Sequence, residues 1–153
     1  MPRIAFLRLG TPPQAFLEGF QQGLRELGYV EGQNIIIEYR FADKGSAQLA
    51  ELASELVRLK VDLIVAPASQ AALAAKNLTR TVPIVFAGII DPIDAGLVTR
   101  FSRPGGNVTG TSVMSIDIAT KRGELLKEIV PQLSRLAVLG NPAHSSYGSQ
   151  VQQ

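Results

Sequence analysis

The chain has 153 residues, a length that suits one ordinary domain or one lobe of a larger protein. Because 46% of the residues are hydrophobic and 18% are charged, the composition is that of a folded chain and excludes a disordered one. The net charge is +2 and the basic residues are scattered, so the sequence lacks the basic stripe that nucleic-acid binding usually needs. Without cysteine there are neither disulfides nor thiolate metal sites.

The first part of the chain alternates between strand and helix signals. An apolar run predicts a first strand at Ile4–Leu9, and the two prolines after it suit the first turn of a helix. That helix is expected over Gln14–Leu27, with Gly28 as its C-terminal cap. Charged and aromatic residues in Asn34–Phe41 predict a second strand at the edge of a sheet. Ser46 is expected to cap a second, amphipathic helix.

The next stretch predicts a β-α-β unit around which the chain is organised. Val61–Val65 and Ile84–Ala87 are apolar, rich in β-branched residues and too short for stable helices, so they are predicted strands buried on both faces. The Ala-rich segment Ser69–Leu78 between them predicts a helix that makes a right-handed crossover. The predicted core consists of Leu52, Leu56, Ile64, Val65, Ile84 and Val85.

The last third continues the alternation of helices and strands. A short helix is expected over Ile93–Phe101, a fifth strand over Asn107–Ser112 and an amphipathic helix over Asp117–Val130. A sixth strand is expected at Leu136–Leu139, before a polar tail. The whole pattern predicts an α/β fold with a doubly wound, Rossmann-like parallel sheet of strand order 2-1-3-4-5.

In an open parallel sheet, ligands bind outside the carboxyl ends of the strands, at the point where the strand order reverses. That point lies between strands one and three here, so the turns at Thr11–Pro13 and Pro67–Gln70 are expected to flank one crevice. The helix that begins near Ser69 offers free N–H groups to a carboxylate or phosphate, and Ser69 could equally be a simple helix cap. Asp91, after strand four, could receive an ammonium group or stabilise a turn.

The sequence shows no constellation of catalytic residues. His144 is the only histidine and lies in the polar tail, so it gives little support to a metal cluster or a Ser-His pair. Gly105-Gly106 lacks the spacing of a phosphate-binding loop and precedes a strand, where such loops follow one. We therefore expect a binding protein with no catalytic residue, metal or cofactor.

Four segments of the sequence resemble one protein family. The family is that of ABC-transporter substrate-binding proteins related to the tryptophan/tyrosine-binding lipoproteins of bacteria. The resemblance runs from about Arg3 to Pro142, and the strings together are quite specific to the family. The four segments are Phe16–Phe20, Leu24–Asn34, Pro83–Phe86 and Arg103–Gly110.

The resemblance implies a type I periplasmic-binding fold, in which two Rossmann-like lobes close on a small ligand about a hinge. Residues 1–112 would be the N-terminal ligand-binding lobe. Residues 113–153 would be the hinge exit and the first helix and strand of an incomplete second lobe. The implied ligand loops coincide with the turns that the sheet argument selects. The candidate ligand-binding residues are Gly10, Thr11, Pro12, Pro67, Ala68, Ser69, Gln70, Gly88 and Asp91.

The family also implies a function, namely non-catalytic binding of a small amino-acid-like ligand for an ABC importer, with permease subunits as partners. The parent protein would be periplasmic or anchored outside the cytoplasm, although this chain enters its first strand without a signal peptide. Two other classes stay open. One is a cytoplasmic small-molecule-sensing regulatory domain of the same fold, and the other is a small α/β enzyme with an acid–base pair at the strand ends.

The segment Asp117–Leu139 is expected to expose apolar side chains and an unpaired strand edge if the first five strands complete the lobe. It could fold back as a sixth strand of its own sheet. Alternatively it could pair with a second chain about a two-fold axis. We favour a homodimer through residues 113–140, because the connection before this segment should direct it away from the lobe.

Overall fold

The computed structural model describes residues 1–113 and 119–137, which form one five-stranded sheet and four helices. All strand pairs are parallel and the order is β2-β1-β3-β4-β5. The predicted α/β doubly wound sheet and its strand order are therefore confirmed. The elements are β1 (Arg3–Leu9), α1 (Gln14–Glu26), β2 (Ile36–Ala42), α2 (Ala47–Arg58), β3 (Leu63–Ala66), α3 (Ser69–Leu78), β4 (Ile84–Ile89), β5 (Val108–Ser112) and α4 (Ala119–Ile129).

One face of the sheet is covered by α1. The buried side chains of Ile4, Phe6 and Ile37 on this face pack against the apolar side of the helix, which includes Phe20. The rings of Phe6 and Phe20 lie with their centroids 5.1 Å apart. β2 lies at the edge of the sheet, as its charged and aromatic residues predict. The helix therefore covers the β1–β2 side of this face.

The opposite face carries the larger core, where α2 and α3 pack on β1, β3 and β4. Leu56, Ile64 and Ile84 of the predicted core are fully buried. Leu52 of α2 is only half-buried. Val65 of β3 and Val85 of β4 are also half-buried, so the prediction that these two strands are buried on both faces is wrong. The two valines lie on the other side of the sheet from Ile64 and Ile84, because successive side chains along a strand alternate between faces.

The predicted helix over residues 93–101 is wrong, because the structure has a series of turns there. A single turn is closed by a hydrogen bond from the N–H of Ala95 to the carbonyl of Asp91 (3.1 Å). Gly96 then adopts φ +70°, a left-handed conformation that ends helical structure. The chain turns back, and Leu97 and Val98 are buried against the core.

The predicted helix caps have different outcomes. At the end of α1, the N–H of Gly28 donates to the carbonyl of Arg25 (2.9 Å), which confirms the C-terminal cap. Ser46 precedes α2 as expected but makes no side-chain capping bond. Its backbone is already helical (φ −64°, ψ −25°), and the side chain of Gln48 instead accepts the N–H of Lys44 (3.0 Å).

The C-terminal helix appears as α4 (Ala119–Ile129), and residues 117–118 of the predicted range lie outside the described residues. Leu125 is 44% and Ile129 77% accessible, whereas Leu126 is half-buried. Leu136 and Ala137 are not in a strand, and the rest of the predicted sixth strand lies outside the described residues, as does His144. The homodimer through residues 113–140 stays a prediction.

An ion pair between β2 and α2 leads to a prediction on pH dependence. Arg40 donates to the Glu55 carboxylate at 2.8 Å, and this hydrogen bond lowers the pKa of Glu55. Because the pKa is lower in the folded state, the stabilisation is present above the ordinary pKa of glutamate and is lost as the pH falls through the folded value. Glu55 is well exposed, so the effect should be small.

We expect the free energy of unfolding to fall more between about pH 6 and about pH 3 in the wild type than in Glu55→Gln. Urea denaturation at the two pH values measures this difference. Glu51→Gln, on the exposed side of the same helix, is the matched control and should behave as the wild type does. An equal loss in Glu55→Gln and the wild type would contradict the prediction.

Candidate functional site

Since all five strands are parallel, the segments that follow them meet at one edge of the sheet, which we call the carboxyl edge. Gly10–Pro12 follow β1 and Asp43 follows β2. Pro67 and Ala68 connect β3 to α3, and Ile90 and Asp91 follow β4. The fold therefore brings all the sequence-predicted ligand loops to the same edge, with Asp43 as a neighbour that the sequence analysis did not single out.

The end of β4 and the segments that follow β3 and β4 line an open cavity of about 190 Å³, which we call the β3–β4 cavity. Pro67, Ala68, Ser69 and Gly88 were candidates from the sequence, and the structure brings them together here. Ile89, the last residue of β4, and Ile90 lie within the expected ligand loop Gly88–Asp91, although they were not single candidates. The complete lining is Pro67, Ala68, Ser69, Gly88, Ile89 and Ile90.

The N-terminus of α3 opens onto the β3–β4 cavity. Ala68 is the N-cap residue in an extended conformation (φ −140°, ψ 147°), and no side chain caps the helix. Ser69 is therefore the first helical residue and not the cap. The N–H groups of a first helical turn have no partner within the helix and carry the positive end of its dipole. This end of the cavity can accept an anionic group.

The β4 side of the cavity is attached to β5. The hydroxyl oxygen of Thr111 accepts the N–H of Gly88 (3.2 Å), and the N–H of Val113 donates to the carbonyl of Ile89 (2.9 Å). The hydroxyl of Ser112 donates to the carbonyl of Ile90 (3.1 Å). The cavity wall is therefore bonded residue by residue to the end of β5.

The segment after β1 lies on the far side of the carboxyl edge. The N–H of Gly10 donates to the carbonyl of Ala42 (3.1 Å), and the hydroxyl of Thr11 lies 3.4 Å from a carboxylate oxygen of Asp43. Pro12 is buried. These candidates thus share the edge with the β3–β4 cavity but do not line it.

Asp91 and Gln70 are also outside the lining. One carboxylate oxygen of Asp91 accepts the N–H groups of Ile93 (3.0 Å) and Asp94 (2.9 Å), so this side chain stabilises a turn. The turn interpretation of Asp91 is confirmed. Gln70 is exposed on the first turn of α3.

A larger, mainly apolar cavity of about 400 Å³ lies between the flank of α1 and the exposed face of β3 and β4. It shares Pro67 with the β3–β4 cavity. It exists because α1 covers only the β1–β2 side of this face. Its lining consists of Phe6, Ala15, Phe16, Gly19, Phe20, Val65, Pro67 and Ala87.

The ionisable groups with shifted pKa values line neither cavity. Burial raises the pKa of Tyr39, and the hydrogen bond to Glu55 raises the pKa of Arg40. Within residues 1–113 and 119–137, no group of acidic, histidine or cysteine side chains could hold a metal ion. In the same part of the chain, no helix has the length and apolarity needed to cross a membrane.

Comparisons with known proteins agree with one another. The family profile "ABC transporter substrate binding protein" matches residues 12–153. A tyrosine-binding protein of Clostridioides difficile is 38% identical over 135 residues, which are 88% of this chain and 38% of that protein. The chain is also similar to two solved structures. A conserved domain protein from Vibrio cholerae has a TM-score of 0.86 and 33% identity, with 99% of this chain and 51% of that one covered.

The second solved structure is an ABC domain from Streptococcus pneumoniae in complex with L-Trp, with a TM-score of 0.83 and 31% identity. This similarity also covers 99% of our chain and 51% of the S. pneumoniae chain. The chain thus spans about half the length of these structures, and less of the curated relative. Sequence and fold together show that the chain belongs to the family of ABC-transporter substrate-binding proteins.

Proposed function

We propose that this chain forms the first ligand-binding lobe of a solute-binding protein that delivers an amino acid to an ABC importer. The observation that carries the proposal is the uncapped N-terminus of α3 at the β3–β4 cavity. The carboxylate of an amino acid suits this position, because free N–H groups and the helix dipole favour a negative group there. The C. difficile and S. pneumoniae relatives, named for tyrosine and L-Trp, support an amino acid as ligand.

In this proposal the candidate residues have separate tasks. Ala68 and Ser69 meet the carboxylate through the start of α3, while Gly88 supplies backbone on the opposite wall. Gly10–Pro12 would approach the ligand from the β1 side of the carboxyl edge. Asp91 would act by fixing the loop after β4, since one of its carboxylate oxygens is already engaged by two N–H groups.

The proposal extends to the partners and the location of the parent protein. Residues 1–112 would close on the ligand against a second lobe that begins within residues 113–153, and permease subunits would receive the closed form. Membership of the ABC substrate-binding family supports a place outside the cytoplasm and a non-catalytic role. Association of two chains through residues 113–140 is supported by the exposed apolar side chains of α4.

Isothermal titration calorimetry on the natural full-length protein tests the ligand class. We expect L-tryptophan or L-tyrosine to bind, and the corresponding amino-acid amide, which lacks the carboxylate, to bind at least about tenfold more weakly (~1.4 kcal/mol). Glucose and a nucleotide should give no heat of binding. A protein that bound only the neutral sugar would contradict the proposal.

A pair of variants at Ser69 tests whether the ligand carboxylate binds at the start of α3. Proline is tolerated at the first helical position, and Ala68 already has the extended backbone that proline requires of the preceding residue. Ser69→Pro removes both the N–H and the hydroxyl, whereas Ser69→Ala removes only the hydroxyl. We expect Ser69→Pro to weaken amino-acid binding more than Ser69→Ala, with similar melting temperatures. Equal affinity in Ser69→Pro and the wild type would place the carboxylate elsewhere.

A further inference from the structure

β4 contains a bulge beside the β3–β4 cavity. Phe86 pairs with Gly110, and the next recorded pair is Ile89 with Ser112. Between these two pairs β4 advances by three residues and β5 by only two, so β4 contains one extra residue. Such an extra residue leaves the regular ladder of hydrogen bonds and redirects the backbone, and bulges are common beside functional sites.

Gly88 is the residue of the bulge that leaves strand geometry. Its φ of +66° is a conformation that glycine adopts easily and other residues rarely adopt. Its N–H points toward β5, where the Thr111 hydroxyl oxygen accepts it at 3.2 Å. A side chain of β5 thus supplies the acceptor for an N–H that the shifted register displaces from the ladder.

The next two residues, Ile89 at the end of β4 and Ile90 after it, are fixed from the same side. Ile89 accepts a backbone bond from Val113 (2.9 Å), and Ile90 accepts a bond from the Ser112 hydroxyl (3.1 Å). Gly88, Ile89 and Ile90 form one wall of the β3–β4 cavity, whereas Thr111 and Ser112 do not line it. Any influence of the two hydroxyls on a ligand must therefore pass through the backbone that they hold.

We propose that Thr111 and Ser112 are positioning residues, which hold the bulged segment Gly88–Ile90 in the conformation that the ligand meets. The inference rests on the proposed function, because it concerns the same cavity. It adds two residues of β5 that bond to the wall of the cavity without lining it. It also links the cavity wall to Val113, where the chain leaves the sheet.

The test compares three single substitutions on β5 in the natural full-length protein, with L-tryptophan as the calorimetric probe. Thr111→Val removes the acceptor with little change of shape, and Thr111→Ser keeps it. Thr109→Val is the matched control, because Thr109 is exposed on the same face of the strand two residues earlier. We expect Thr111→Val to bind about fivefold more weakly, which corresponds to the loss of one hydrogen bond, and the other two as the wild type does.

Hydrogen exchange of the Gly88 amide, measured by NMR without ligand, provides a readout that a general loss of stability would not reproduce. The exchange should be faster in Thr111→Val than in Thr109→Val, and Thr111→Ser should restore the slow rate. Ser112→Ala should weaken L-tryptophan binding in the same direction, through Ile90.

Unchanged affinity together with unchanged Gly88 exchange in Thr111→Val would overturn the positioning role. If the wild type bound no amino acid, the proposed function would fail separately. The exchange comparison would then decide the positioning role alone: faster exchange in Thr111→Val supports it, and equal rates overturn it.

Discussion

Gly110→Ala is expected to destabilise the lobe by more than about 3 kcal/mol, at the upper end of the usual effect of overpacking. A Cβ at position 110 would lie 2.1 Å from the carbonyl oxygen of Phe86 and 2.5 Å from its ring. The backbone of Phe86 cannot retreat, because it pairs with Ala66 of β3 on its other side. β5 would have to separate from β4, which would also break the bonds that hold Gly88–Ile90.

Urea denaturation monitored by circular dichroism measures this loss in the free energy of unfolding. Gly106→Ala is the matched control, because a Cβ there meets nothing within 4 Å and its φ is not in the left-handed region. The control should change the free energy of unfolding by less than about 0.5 kcal/mol. A Gly110→Ala variant as stable as the control would show that β5 does not approach β4 as closely as described.

Ile64→Ala should cost about 2–5 kcal/mol of the free energy of unfolding. Ile64 is 0% exposed and pairs with Ala5 on one side and Ile84 on the other, so its side chain lies in the middle of the larger core. α2 and α3 are fixed by the sheet and can close only part of the space left by the removed atoms. The remaining cavity adds to the loss of apolar burial.

A thermal melt of Ile64→Ala beside Leu63→Ala tests whether burial sets the size of this effect. Leu63 precedes Ile64 on the same strand but is half-buried on the opposite face. Truncation there removes the same number of carbon atoms and should lower the melting temperature less. Equal shifts in the two variants would mean that the α2–α3 face is not the main core.

The strand order could be predicted because its signals are local in the sequence. Short apolar runs such as Val61–Val65 differ clearly from the amphipathic helices between them, and parallel strands joined by helices allow few arrangements. The turns after these strands then had to meet at one edge. This is why Pro67, Ala68, Ser69 and Gly88, all chosen from the sequence, line one cavity.

The positioning role of Thr111 and Ser112 could not be read from the sequence, because it depends on how β4 and β5 align. The predicted strand ends at Ala87, because the glycine that follows is typical of a turn. In the structure β4 continues through Gly88 to Ile89 by way of a bulge. A bulge depends on pairing with another strand and has no periodic signal of its own. In the sequence, the two residues whose hydroxyls bond to the bulged segment therefore look like ordinary polar residues of a strand.

Local backbone conformation explains the other differences. A serine favours the start of a helix, but the sequence does not determine whether it is the N-cap or the first helical residue, and Ser69 is the latter. Apolar residues at 93, 97 and 101 have helical spacing. Gly96 nevertheless ends the helical structure after one turn, and Leu97 and Val98 are buried against the core without a helix.

The central place of β1 has a consequence for the order of events during protein synthesis. Of the described strands β1 is synthesised first, yet it pairs on one edge with β2 and on the other with β3, which ends at Ala66. A nascent chain that stops before β3 can cover Ile4 and Phe6 with α1, and it already contains α2, but α3, which also packs on the face of Ala5 and Leu7, is still missing. Because domains generally fold as units, β1 must wait with one open edge until two helix–strand units, α1–β2 and α2–β3, have followed it.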